Sequence, residues 1–317
     1  MIYGGARQVI DPLKQQHKEK LMKRLFSTVF FLGLILGCGP LMAGSGHYTS
    51  GVEGIKAASV PPPGGSGFYG KLYNVYYSAG EMRDNQGRKV PTNFDLDVLV
   101  QCYRLIYSSD IKVLGGNLLF DILIPVMYTD IYLAGAIDDN RGGLGDIFIE
   151  PLFIGWHGER WDALAAFGIY VPTGRFDSDR PASPGSGFWT YMFSLGGTVF
   201  FDPERTWSAS VLARYQIHTK QDETDITSGD HFSFEWGLGK NINGLDLGLA
   251  GYCHWQVSDD KGPGAGDDRE RAFAAGPEIA YTFDSIGLNV SLRSLWEFEN
   301  KNKSQGNITV LNLTYAF

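Results

Sequence analysis

Cysteine is scarce in this chain, with Cys38, Cys102 and Cys253 the only three among 317 residues. None falls in a CxxC or Cys/His spacing, so neither a zinc ribbon nor a disulfide-stapled small fold is indicated, and no metal or other cofactor is expected. Cys102 and Cys253 sit in separate strand-like segments and read as packed thiols, a disulfide being the alternative in an oxidising compartment. Basic residues are also short, 27 Lys+Arg against 35 Asp+Glu, and the formal charge of −8 argues against nucleic acid as a partner. Beyond residue 36 there is no long apolar run. The most apolar stretch, 118–128, is broken by Asp121 and Pro125, which a lipid-buried helix would bury at considerable cost. A helical membrane protein is therefore disfavoured.

What is present at the N-terminus is a basic stretch, Lys18, Lys20, Lys23 and Arg24, before the apolar run 25–36. That run is too short and too rich in glycine for a bilayer span, and with Leu41-Met42-Ala43 before Gly44 it reads as a secretory signal peptide over 1–43. Met22-Lys23-Arg24 would open such a signal unaided, so 1–21 reads as a misassigned upstream extension. A rival reading makes Cys38, in Ile35-Leu36-Gly37-Cys38, a lipidated cysteine. Residues 1–43 hold six basic and two acidic residues, so their removal leaves the remainder more acidic still.

Glycine and aromatics are abundant, with 41 Gly, 20 Phe, 16 Tyr and 7 Trp, while mean hydropathy is only −0.12. A membrane β-barrel combines these properties, because alternating strands need only half their residues apolar. About twelve strand-length segments follow, near 67–79, 93–107, 116–128, 146–157, 161–171, 187–201, 206–218, 230–240, 245–257, 271–282, 286–298 and 307–317. In 206–218 the side chains Trp207, Ala209, Val211, Ala213, Tyr215 and Ile217 share one face, and Ser208, Ser210, Arg214, Gln216 and His218 the other. A soluble sandwich could alternate as well. The connections discriminate: the odd-numbered ones (80–92, 129–145, 172–186, 219–229, 258–270, 299–306) are long and polar, whereas the even-numbered ones are tight, 108–115 being the longest. Short turns on one rim and long loops on the other are the mark of outer-membrane barrels, with the short rim periplasmic. The last strand agrees, since Leu311, Leu313, Tyr315 and Phe317 share a face and the chain ends on an aromatic residue, resembling the terminal-strand signal read by the barrel-assembly machinery. Trp156, Trp161, Trp189, Trp207, Trp255 and Trp296 are candidates for interfacial girdles. The expected fold is thus all-β: a transmembrane antiparallel barrel of about twelve strands over 67–317, in the bacterial outer membrane.

Residues 44–66 differ in kind. They carry His47-Tyr48, a glycine-rich run through Lys56 and the stiff Pro61-Pro62-Pro63-Gly64, without alternation, and read either as a periplasmic tail or as a plug folded into the lumen. These residues, with Gly143-Leu144-Gly145-Asp146-Ile147, Glu150-Pro151, Gly155-Trp156-His157, Pro172-Thr173-Gly174, Trp236-Gly237-Leu238-Gly239 and Gly276-Pro277-Glu278, resemble a family of outer-membrane transporters named for the MetA pathway of phenol degradation. The resemblance runs through most of the chain after the signal. It implies an outer-membrane channel associated with aromatic catabolism and names no substrate.

Arg214, Arg293, Asp121, Glu150, Glu235, Glu278, Glu297, His218 and His254 lie opposite the apolar stripes of their strands, and the reading is a channel lining with a constriction: Arg214 and Arg293 as a positive wall, Asp121, Glu150 and Glu278 as a negative one. Each arginine is expected to meet a carboxylate such as Glu235 or Glu297, because an arginine turned into lipid near the midplane would cost about 2–4 kcal/mol. The function expected is passive uptake of small organic solutes, aromatic compounds favoured by the resemblance. One alternative is a barrel that does not conduct. Another is a lipid hydrolase using His231 and Ser233, which the strand phase opposes by turning both away from the apolar face. Asp138-Asp139-Asn140, Asp259-Asp260 and Asp267-Asp268 could hold calcium or bridge to lipopolysaccharide at the membrane surface, although such runs are more often solvated.

Overall fold

The computed structural model describes residues 46–61 and 66–317; the signal peptide, the alternative start and Cys38 lie outside them. Thirteen strands are formed: β1 (Gly67–Arg83), β2 (Phe94–Val113), β3 (Gly116–Leu133), β4 (Ile137–Leu144), β5 (Ile147–His157), β6 (Trp161–Val171), β7 (Thr190–Phe200), β8 (Trp207–His218), β9 (His231–Ile242), β10 (Leu245–Gln256), β11 (Arg271–Phe283), β12 (Leu288–Lys301) and β13 (Lys303–Ala316). Each neighbour pairing is antiparallel. β4 and β5 both pair with β3 and follow one another through Gly145-Asp146, so they are two segments of one bent stave. Pairing of β1 with both β2 and β13 closes the sheet. The result is a closed antiparallel barrel of twelve staves, in which no sheet edge is left to satisfy in lipid.

Alternation fixes which side of each stave faces inward. In β8, Ser208, Ser210, Arg214, Gln216 and His218 are buried while Trp207, Val211, Tyr215 and Ile217 are exposed. The outward surface is mainly apolar, including Leu99, Tyr103, Leu195, Leu249, Leu292 and Phe298, as a lipid-facing wall requires, with Gln101 bonded to Asn74 as a polar exception. Trp161, Trp189, Trp207 and Trp296 are among these exposed residues, and Trp156 and Trp255 are half-buried. At the seam, Phe317 N–H donates to Phe68 O at 3.0 Å.

The connections differ from expectation in three places. Segment 108–115, expected to be a longer turn, continues the β2–β3 hairpin and reverses at Leu114-Gly115, with φ of 50° and 81°. A two-residue turn of this hand matches strand twist, as does Asn243-Gly244 between β9 and β10, with φ of 52° and 86°. Stretch 129–145, expected to be a loop, is a paired β3–β4 hairpin, and 299–306, also expected to be a loop, carries β12 and β13 on beyond their mutual register, with Lys303 to Gln305 paired to β1 and the chain reversing at Asn302. In β3 the pattern there is inverted, Ile131 and Leu133 packing inward and Asp130 lying exposed, so it does not read as a lipid-facing strand. Long connections remain at 84–93, 172–189, 219–230 and 257–270. Cys102 and Cys253 are free thiols.

Candidate functional site

All nine side chains expected to line the lumen are buried and directed inward. Their partners are close neighbours and the N-terminal segment 46–61, which runs through the ring of inward-facing groups. Arg293 and Glu278 are cross-strand partners in the β11–β12 register, with Nε 3.2 Å from Oε2, and Arg293 Nη1 donates to the Val52 carbonyl at 2.5 Å. Glu278 Oε2 in turn accepts the Ile55 N–H at 2.7 Å. This corrects the picture of opposed charged walls: positive and negative members are paired side by side, and both reach the same short stretch of chain. A buried charge is tolerated only with such compensation.

On the other side, Arg214 stacks over the Tyr48 ring at 3.9 Å, lies 3.4 Å from Glu235 Oε1 and 3.5 Å from Glu53 Oε1, and the Tyr48 hydroxyl donates to Glu235. Asp121 and Glu150 are cross-strand neighbours between β3 and β5, held together by Arg104. Glu297 accepts from the hydroxyls of Tyr77 and Tyr252 at 2.8 and 2.6 Å. Glu53 is the centre of this network: Lys71 Nζ is 2.7 Å away, Arg104 3.4 Å, and the Tyr73 hydroxyl donates at 3.1 Å. Burial alone would raise the Glu53 carboxyl, but Lys71, Arg104 and Arg214 outweigh it and hold the group well below the usual carboxylate range.

Sequence reasoning missed Glu53, Lys71 and Arg104. In β2 the inward residues Leu96, Val98 and Val100 and the outward Leu99, Tyr103 and Leu105 are all apolar or aromatic, so no polar face announced Arg104; its even parity with Val98 and Val100 was the available signal. The backbone approaches as closely as the charges do. Gly237, facing inward on β9, lies against the Ile55 backbone, and a Cβ there would overlap it. Ile55 also sits within an apolar cluster with Tyr73, Val75, Leu295, Ile308 and Val310, so the segment is anchored by packing as well as by charge.

A histidine-rich array joins the segment to the wall. His47 Nε2 is 2.8 Å from Asp146 Oδ2, and its Nδ1 2.5 Å from Thr190 Oγ1, which also contacts His218 Nδ1 at 2.6 Å. His218 Nε2 is 2.8 Å from His231 Nδ1, and His254 Nε2 is 2.8 Å from Glu270 Oε1. His231 therefore engages His218, and both it and Ser233 face inward as the strand phase required. The acidic loop residues are bound by protein donors: Asp139 by Arg180, Asp259 by Arg269, Asp260 by the Gly229 N–H and Gln256, and Asp268 by Asn85.

Between the N-terminal segment and loop 172–189 lies a cavity of about 340 Å³. Its wall is mainly apolar, with Leu96, Val98, Val100, Met127, Phe148 and Met192; Glu53, Arg104 and Arg214 border it on the side of the charge network.

A closed twelve-stave barrel with an apolar exterior and a charged interior is the architecture of an outer-membrane channel. The chain matches the family described as "Putative MetA-pathway of phenol degradation" over residues 79–313, more than half its length, and belongs to that family. It is similar in structure to an outer membrane channel from Pseudomonas putida F1, with a TM-score of 0.73 at 14% identity, covering 86% of this chain and 100% of that one. More distant likenesses include the beta domain of the Bordetella autotransporter Brka, with a TM-score of 0.47 at 14% identity over 80% of this chain and 99% of that one. A Pseudomonas aeruginosa FadL homologue gives 0.40 at 11% identity, over 79% and 89%. No curated protein matches by sequence.

Proposed function

We propose that the protein is a channel of the bacterial outer membrane for passive uptake of small apolar organic molecules, aromatic compounds among them. The observation that carries this reading is the apolar cavity inside the barrel, of a size suited to a small ligand and bordered by a few polar groups. On this reading segment 46–61 is a lumen plug, and Arg214, Arg293 and their carboxylates hold it in place rather than forming an open polar pore. On the same reading these paired charges impede a hydrophilic solute, whereas an apolar one is accommodated in the cavity beside them. The membership in a family named for phenol degradation supports aromatic solutes. Terminal Phe317 is the proposed handle for the barrel-assembly machinery, and the acidic outer loops face lipopolysaccharide.

The test is uptake by proteoliposomes of toluene set against glucose, with single-channel recording in parallel. Toluene entry above that of protein-free vesicles, with little glucose entry, supports the proposal. A folded preparation impermeant to both favours the alternative, a structural barrel that does not conduct.

A further inference from the structure

The array of histidines ends in a group that the plug and the cavity do not require. His231, the first residue of β9, stands in register opposite Gln256, so that His254, two residues earlier on β10, is its diagonal neighbour on the inward face. His254 is opposite Ala272 of β11, which makes Glu270, just ahead of that strand, the next diagonal neighbour. Three adjacent staves thus deliver two imidazoles and a carboxylate to one spot, all three buried. The two rings are stacked, with centroids 5.1 Å apart and planes at 23°, and the Nε2 atoms of both approach Glu270 Oε1.

We propose that His231, His254 and Glu270 form a binding site for a divalent transition-metal ion of the zinc class. One ligand atom from each residue lies within 4.8 Å of the other two. His231 Nε2 is 3.2 Å from Glu270 Oε1 and His254 Nε2 is 2.8 Å from the same oxygen. Ligands at about 2.0–2.2 Å from a tetrahedral ion stand about 3.4 Å apart, so the two nitrogen–oxygen contacts need open only by a few tenths of an ångström. His231 Nε2 is a fully buried nitrogen with no hydrogen-bond partner among the described residues, Glu270 Oε1 standing 3.2 Å away. An unused imidazole lone pair with neighbouring nitrogen and oxygen donors is what an ion of borderline softness takes.

The surroundings complete the arrangement. His218 Nε2 can accept from His231 Nδ1–H, which sets the tautomer that leaves Nε2 free for the ion. Lys303 Nζ is 3.3 Å from Glu270 Oε2, which occupies the second carboxylate oxygen and leaves Oε1 for single coordination. His254 lines the apolar cavity, so the fourth position opens toward it and a water or a solute donor can complete the tetrahedron. A bound ion would cross-link β9, β10 and β11 near the long-loop rim.

The experiment uses the untagged, folded protein in detergent, treated with chelator and then loaded with zinc(II) alone, the metal being counted per chain after desalting. About one zinc per chain is expected, with affinity lowered about tenfold or more in His254→Gln and Glu270→Gln and retained in His157→Gln, whose histidine lies at the other rim. Heat-modifiable mobility on gels establishes that each variant folds. Cobalt(II) added to the unaltered protein gives a second readout that needs no variant. Intense visible bands of a four- or five-coordinate ion support the site. The weak spectrum of the hydrated ion, no retained zinc in the folded protein, or undiminished zinc binding in a folded His231→Gln/His254→Gln double variant would each overturn it.

Discussion

Arg293 and Glu278 face one another across the β11–β12 pairing and both bind the backbone between Gly51 and Ile55, so one buried ion pair ties two staves and the N-terminal segment together. Arg293 is 1% exposed, and removing it leaves Glu278 with an uncompensated charge. Arg293→Ala should cost about 3–5 kcal/mol. The loss is expected as a lowered temperature for the heat-modifiable gel shift, and Glu278→Gln in the same background should recover part of it by removing the stranded charge.

Gly237 gives a probe of the segment that leaves the charges intact. A side chain there collides with the Ile55 backbone, while the outward face of β9, with Trp236 and Leu238, is unaffected. Gly237→Leu should therefore displace the segment from a barrel that still assembles. A cysteine introduced at Ala57 should label slowly in the unaltered protein and at least tenfold faster in the Gly237→Leu background; equal rates would show that the segment stays seated.

Much of this is legible in the sequence. In β8 and β12 one face meets lipid and the other a charged lumen, so period-2 alternation is clean and the phases of Arg214 and Arg293 could be read directly. β2 faces lipid on one side and the apolar cavity on the other, and alternation vanishes where both media are apolar; Arg104 was hidden for that reason. Glu53 was hidden for another, since its partners Lys71, Arg104 and Arg214 lie 18, 51 and more residues away and only barrel closure gathers them. His231, His254 and Glu270 have no motif spacing, because strand register and not local sequence places them together.

The Glu53 carboxyl is held well below its ordinary value near 4.5 by the three surrounding cations. A depressed folded pKa gives stability that is complete above the ordinary value and lost as pH falls through the folded one. Retention of the segment should accordingly be constant above about pH 5 and weaken as pH is lowered toward about 3. Protection of an Ala57→Cys thiol, quenched and read after timed exposure at each pH, measures this. Glu53→Gln should flatten the profile, and an unchanged profile would assign the acid response to another carboxylate.

Leu195, on the outward face of β7, is 67% exposed in a wall that meets lipid. Leu195→Arg should lower folding stability in bilayers by about 2–4 kcal/mol if this position lies near the midplane, with a smaller loss in loosely packed detergent micelles. Equilibrium unfolding in lipid and in detergent makes the comparison, and a neutral result in both would place the membrane elsewhere on the barrel.

Arg214 separates conduction from folding most sharply. It stacks on Tyr48 and lies beside both Glu53 and Glu235, so two of its three partners belong to the N-terminal segment. Arg214→Ala removes the cation that compensates Glu235 and loosens the Tyr48 end, while Arg293, Glu278 and Ile55 still hold the other. The expected outcome is a partly displaced segment: higher single-channel conductance, a shift toward cation selectivity because Glu53 and Glu235 remain, and a barrel that still migrates as folded without heating. Arg214→Lys keeps the charge but not the planar stacking on Tyr48, and should fall between the two. If Arg214→Ala lowers the unfolding temperature and leaves conductance and selectivity unchanged, the arginine serves only the ion-pair network and the reading of the segment as a lumen plug loses its main residue-level support.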